Sequence, residues 1–143
     1  MILLAMLLQA AVPDYPSSVE EKAYCARDPQ GQTEAMCLAD RKYERAQKEM
    51  AAALVKARRA VLAQRREIAR FKRDKDSPTL EGDPVNALEQ SQAAWKKSMD
   101  ADCLVYGLQF ATAYMSTIGV TENWNCKANR ILDRARFLRT PAD

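Results

Sequence analysis

The sequence predicts an all-α fold, in which a long antiparallel helical hairpin follows a short helix, precedes a third helix and is held together by disulfides. Residues with high helix propensity fill the middle of the chain, and its 143 residues include only 4 glycines. Two long segments repeat their apolar residues at helical spacing. The cysteines number 4, and an even count favours disulfides in a small exported protein.

The chain has the length of one domain, and its 29% charged and 48% hydrophobic residues are ordinary for a globular protein. Residues 1–11 are predicted to be a signal peptide, because an apolar run from Ile2 to Leu8 precedes Ala10 and Ala11 and is too short to span a bilayer. A buried N-terminal helix is the alternative. Residues 12–143 then form a single domain without a transmembrane span, in a periplasmic or secreted protein.

The first part of this domain is predicted to hold two helices. Two prolines within residues 12–18 prevent a regular helix there, so this segment is expected to be a leader or linker. A short helix begins near Ser18, with acids in its first turn, and ends around Arg27. After a turn that contains Pro and Gly, the second helix starts near Thr33 and continues to about Asp74.

The second helix contains a heptad pattern of apolar residues, which is suited to packing in a helical hairpin. Its seam consists of Met50, Leu54, Ala57, Val61, Gln64, Ile68 and Phe71. Small residues near the middle of this seam permit close approach of a second helix. Lys75 to Gly82 is predicted to be the hairpin loop.

The third predicted helix begins at Pro84, after Asp83 as its cap, and ends between Phe110 and Thr117. Its apolar stripe consists of Leu88, Trp95, Met99, Tyr106 and Phe110, which lie on one side of a helix. Trp95, Tyr106 and Phe110 are the expected structural anchors. The simplest fold places the two long helices against each other with Trp95 between them.

The last helix is predicted to begin at Thr121, after a break at residues 117–120, and to end at Thr140. Its apolar side consists of Ile131, Leu132, Ala135 and Leu138. Trp124 would then lie near a loop, either as a lid over the core or as an exposed contact residue.

The four cysteines allow three connectivities, of which local pairing is the simplest. Cys25 with Cys37 would close a short loop, and Cys103 with Cys126 would link the last two helices. Each closure stabilises the fold by roughly 3 kcal/mol in the chain-entropy model. A metal site is not expected, because the chain has no histidine and no closely spaced cysteine pair.

Charge is distributed unevenly along the chain. Residues 41–75 contain 13 Lys and Arg against 4 acids, a net charge of +9, whereas residues 1–40 have a net charge of −4. The basic segment is either a solvated helix face or a surface for anionic lipid or a cell-wall polyanion. Nucleic acid is not an expected partner, because no aromatic residues interleave with the arginines to stack on bases.

No pattern in the sequence indicates an enzyme or a cofactor site. Acid–base catalysis needs a paired carboxylate or a His in a cleft, whereas Asp100 and Asp102 point to different sides of a helix. There is no phosphate-binding Gly-rich loop, nucleophile elbow or two-His metal motif. The protein is therefore expected to act by binding.

The order of its motifs resembles the lysozyme-inhibitor LprI-like N-terminal domain family. The elements that carry the resemblance are Cys25, Cys37, Tyr43, Ala94-Trp95, Asp102-Cys103, Cys126, and Arg134 with Leu138. They cover nearly the whole of residues 12–143. The resemblance implies a helical protein of the periplasm or envelope, and lysozyme binding is the activity for which the family is named.

Two functions follow as hypotheses. The first is an inhibitor that binds lysozyme, and the second is an envelope structural or interaction module without affinity for lysozyme. Because many lysozymes are basic and the whole chain has a net charge of +3, attraction would have to come from the acidic end of the chain. The predicted contact residues are Glu20, Glu21, Asp28, Glu34, Asp40 and Trp124.

Overall fold

Four helices form the regular structure of the described residues. The computed structural model describes residues 12–27, 33–70, 82–110 and 116–140. The helices are α1 (Val19–Arg27), α2 (Glu34–Arg70), α3 (Pro84–Phe110) and α4 (Ser116–Arg139). The all-α prediction is therefore confirmed. The predicted signal peptide and nearly all of the predicted hairpin loop lie outside the described residues.

Side-chain caps explain where the first three helices begin. The Ser18 hydroxyl accepts a hydrogen bond from the backbone N–H of Glu21 (3.1 Å), and the Thr33 hydroxyl accepts one from the N–H of Met36 (3.2 Å). The carboxylate of Asp83 accepts the N–H three residues further on, at 3.4 Å. Each cap satisfies an N–H group that has no partner within its helix. The three predicted helix starts are therefore confirmed.

α2 and α3 are antiparallel, as the hairpin prediction requires. The guanidinium of Arg58 lies 2.8 Å from the Glu89 carboxylate, and Arg65 lies 3.5 Å from Asp83. Positions later in α2 therefore face positions earlier in α3. These contacts between the two helices are polar and exposed, so they contribute little to stability.

α4 is the central helix of the bundle, which the sequence did not indicate. It packs along both α2 and α3, and its contact with each is more extensive than the contact of α2 with α3. The two long helices do lie against each other as expected, but each of them packs mainly against α4. The Arg134 side chain of α4 lies over the Trp95 ring, 5.8 Å from its centroid. Trp95 is therefore covered partly by α4.

The core lies where the three long helices meet. Its buried members are Ala46, Met50, Ala53, Met99, Cys103, Ala128, Ile131, Leu132 and Ala135. Alanines on α2 and α4 allow the two helices to lie close together, because each adds little volume between the backbones. The predicted apolar side of the last helix is confirmed, since three of its four residues are buried and Leu138 packs against this core.

The predicted seam of α2 is buried along only part of its length. Met50 and Ala57 are buried, whereas Gln64 and Ile68 are exposed. α4 ends beside the middle of α2, where Arg139 bonds to Glu49. The later turns of α2 therefore extend past the three-helix core.

The predicted break at residues 117–120 is wrong, because α4 begins at Ser116 and continues through these residues. A β-carbon on Gly107 would lie 2.8 Å from the carbonyl oxygen of Gly119 and 2.9 Å from Cβ of Asn123. Gly107 is buried in α3, where the backbone of α4 lies directly against it. The glycine at 107 is therefore required by helix packing, which outweighs its poor helix propensity.

Candidate binding surfaces

One end of the bundle contains an open cleft. The start of α2, the end of α3 and the first half of α4 meet at this end. We call this end of the bundle the α1 end, because α1 packs on the same part of α2. The cleft has a volume of about 1100 Å³. Its lining includes Asp14, Leu38, Lys42, Tyr106, Glu122 and Asn125.

The segment before α1 forms one wall of this cleft. It is not helical, as its prolines predict, but it is held by the bundle and is not a free linker. The backbone N–H of Tyr15 donates to the Asn129 side chain at 3.1 Å, and its hydroxyl lies 3.4 Å from Asp133. Arg45 donates to the carbonyl of Pro16 at 3.0 Å. Tyr15 also packs against the hydrophobic core.

Asp14 links this segment to both α2 and α4. Its carboxylate accepts hydrogen bonds from Asn129 (2.9 Å) and from the buried Lys42 ammonium (3.2 Å). The hydrogen bond from Asn129, followed by the bond and charge of Lys42, holds the pKa of Asp14 below its usual value of 3.8. Sequence reasoning missed Lys42 and Asn129, because nothing in the local pattern separates Lys42 from the other cations of α2.

The predicted acidic contact residues differ in their exposure. Glu20 and Glu34 are exposed, and Asp40 is partly buried. Asp28 lies outside the described residues. Glu21, by contrast, is buried. The exposed carboxylates available to a partner at this end therefore include Glu20 and Glu34 but not Glu21.

Glu21 is engaged in holding α1 on α2. One carboxylate oxygen accepts the backbone N–H of Ser18 at 2.7 Å, which completes a capping box with the reciprocal bond described above. The other oxygen accepts a hydrogen bond from the Arg45 guanidinium, also at 2.7 Å. Charge-assisted bonds of this length are among the stronger polar contacts in proteins. Glu21 thus has a structural role.

The aromatic residues singled out in the sequence lie in different surroundings. Trp95 is partly buried and packs against the core, whereas Tyr106 and Phe110 are exposed at 42% and 39%. The rings of Tyr106 and Phe110 contact each other edge to face at 5.2 Å, and Tyr106 borders the cleft. Trp124 lies within α4 and is partly buried, so the expectation that it lies near a loop is wrong.

Both predicted disulfides are present. Cys25 is bonded to Cys37 and fixes α1 to the start of α2, while Cys103 is bonded to Cys126 and fixes α3 to α4. Neither joins α2 to the pair formed by α3 and α4. The α1 end of the bundle is therefore assembled from two cross-linked pairs of helices.

The described residues contain neither a metal-binding group nor a membrane-spanning helix. No three or more Cys, Asp or Glu side chains among them are arranged to hold a metal ion. No helix in the described part of the chain is both long enough and apolar enough to cross a bilayer.

These features are those of a small, disulfide-linked, all-α protein whose described residues form four helices, with a cleft at one end. Residues 25–138 match the family model described as lysozyme inhibitor LprI, and the chain belongs to this family. No curated protein and no solved structure shows a significant match to the chain. The match begins at the first cysteine and includes all four helices in whole or in part.

Proposed function

We propose that this chain is an exported, non-enzymatic protein that binds and inhibits lysozyme. The observation that carries the proposal is its membership of the lysozyme inhibitor LprI family across residues 25–138. The two disulfides and the leading apolar run support export, since disulfides persist in oxidising compartments. Export would bring the protein to the compartment in which lysozyme acts.

The α1 end is the proposed contact surface. Glu20 and Glu34 are exposed there, and Glu122 borders the cleft without an ion-pair partner among the described residues. Asp40 and Trp124 complete the proposed set. A cationic side chain of lysozyme entering this cleft would meet the carboxylate of Glu122, while the two cations of the lining, Lys42 and Arg130, are already paired with Asp14 and Asp102. Glu21 is left out of the contact, because Arg45 and Ser18 use its carboxylate.

A lytic assay tests the activity directly. Purified oxidised protein is mixed with a basic lysozyme, and the clearing of a bacterial cell-wall suspension is followed with and without the protein. Inhibition together with a measurable association supports the proposal. If lysozyme is neither bound nor inhibited, the alternative of an envelope interaction module replaces it.

Charge reversal tests the contact surface. Glu20→Lys with Glu34→Lys should slow association with lysozyme on the order of tenfold at low salt, because charges at the rim of an interface act mainly on the association rate. The matched control is Glu67→Lys with Glu89→Lys, which makes the same charge change on exposed positions away from the cleft. Equal effects of the two pairs would contradict the proposed surface.

A further inference from the structure

We infer that α2 has a second binding surface, directed at an anionic lipid bilayer. The surface, called here the basic face, consists of the outward-facing residues Lys48, Val55, Arg59, Leu62, Arg66 and Arg70. It is separate from the cleft at the α1 end and does not depend on binding to lysozyme.

Helical spacing places the four cations of the basic face in one row. Lys48, Arg59, Arg66 and Arg70 follow one another at intervals of 11, 7 and 4 residues, so they lie within a strip about 40° wide. The strip is about 33 Å long at 1.5 Å per residue. Such a straight row suits contact with a flat surface.

The row lies on the side of α2 opposite the core, and α1 covers only the part of α2 before it. α1 occupies the beginning of this side through the disulfide at Cys37 and the contacts of Arg41 with Tyr24 and of Arg45 with Glu21. From Lys48 onwards, all six residues of the basic face are exposed.

The cations of the row have no ion-pair partner among the described residues, unlike other cations of α2. Two other arginines of this helix are paired: Arg58 with Glu89 of α3, and Arg65 with Asp83, the residue that caps α3. Within the described part of the chain, the four cations of the basic face form no ion pair. Their charge is therefore available to an external anion, and repulsion between rows of cations argues against a second copy of this chain as the occupant.

Two apolar side chains favour a lipid surface over a soluble polyanion. Val55 and Leu62 are exposed at 49% and 36%, and they lie beside the cations along the same side of the helix. A soluble polyanion would leave these side chains in water. At a bilayer surface, cations bind the head groups while neighbouring apolar side chains enter the boundary of the acyl chains.

Vesicle co-sedimentation tests the inference on the cations. Oxidised protein is sedimented with vesicles of phosphatidylglycerol and phosphatidylcholine, and with phosphatidylcholine alone. We expect binding only to the anionic vesicles, weakening as salt is raised. Because each basic residue near such a surface contributes about fivefold in partitioning, Arg59→Gln, Arg66→Gln and Arg70→Gln together should weaken binding on the order of a hundredfold.

The matched control removes the same charge elsewhere. Lys22→Gln, Lys97→Gln and Arg136→Gln are exposed positions on the other three helices. This variant should change partitioning by less than about threefold, because its cations are not in the row. An equal loss in the two triple variants would overturn the inference, since net charge alone would then explain binding.

A second pair of variants tests the apolar contribution. Val55→Ser with Leu62→Ser should weaken vesicle binding by roughly fivefold, whereas Leu104→Ser with Leu108→Ser, on the exposed side of α3, should not. If the first pair binds anionic vesicles as the parent protein does, the surface recognises anions without lipid insertion and the inference fails. Inhibition of lysozyme by each variant is measured in parallel, so that failure of either proposal is seen separately.

Discussion

Substitution of Gly107 by alanine tests the packing of α3 against α4. The added β-carbon would lie 2.8 Å from the carbonyl oxygen of Gly119 and 2.9 Å from Cβ of Asn123, both shorter than an ordinary van der Waals contact. One of these atoms belongs to the backbone, and the disulfide between Cys103 and Cys126 restricts separation of the two helices nearby. The clash can therefore be relieved only by a shift of the helices.

Two effects oppose each other in this variant. Overpacking of a tight contact costs about 1–3 kcal/mol, and the restricted helices place the cost at the upper end of this range. Alanine regains roughly 1 kcal/mol of helix propensity over glycine. The net expectation is a loss of about 1–2 kcal/mol, which lowers Tm by roughly 3–7 °C in a chain of this size.

The assay is denaturant and thermal unfolding of the oxidised protein, followed by far-ultraviolet circular dichroism. Gln109→Ala serves as the control, because Gln109 is exposed two residues further along α3 and should change stability by less than about 0.5 kcal/mol. If Gly107→Ala is more stable than the parent protein, helix propensity outweighs the contact, and the argument for close packing is refuted.

Two further predictions concern the core and the cleft. Trp95→Ala should lower the free energy of unfolding by about 2–3 kcal/mol. This is below the roughly 3–5 kcal/mol typical of a fully buried aromatic, because the Trp95 ring is only partly buried. A loss under about 1 kcal/mol in urea unfolding would contradict this. The pKa of the Asp14 carboxyl, measured by NMR, should lie below its ordinary value of 3.8. Its bonds to Asn129 and Lys42 therefore stabilise the fold above pH 3.8, and this stabilisation is lost as the pH falls through the lowered pKa. A measured pKa of 3.8 or higher would contradict this prediction.

The sequence determined the elements that depend on neighbouring residues. Ser18, Thr33 and Asp83 marked helix starts, because a cap acts on N–H groups two or three positions away. Local pairing of the cysteines was also correct. Each pair is separated by only 12 or 23 residues and joins two consecutive helices. Family membership followed from the order of such motifs.

The tertiary structure decided the features that arise between distant segments. The sequence of α4 does not indicate that it packs on both long helices, because its apolar side fits one neighbour as well as two. Glu21 looked like a surface acid until Arg45, 24 residues away, was placed beside it. Likewise, residues 117–120 were predicted to be a break, whereas they form part of α4 and its Gly119 lies against Gly107 of α3. Helix propensity acts within a single helix, whereas the features named here depend on which other segment packs against that helix.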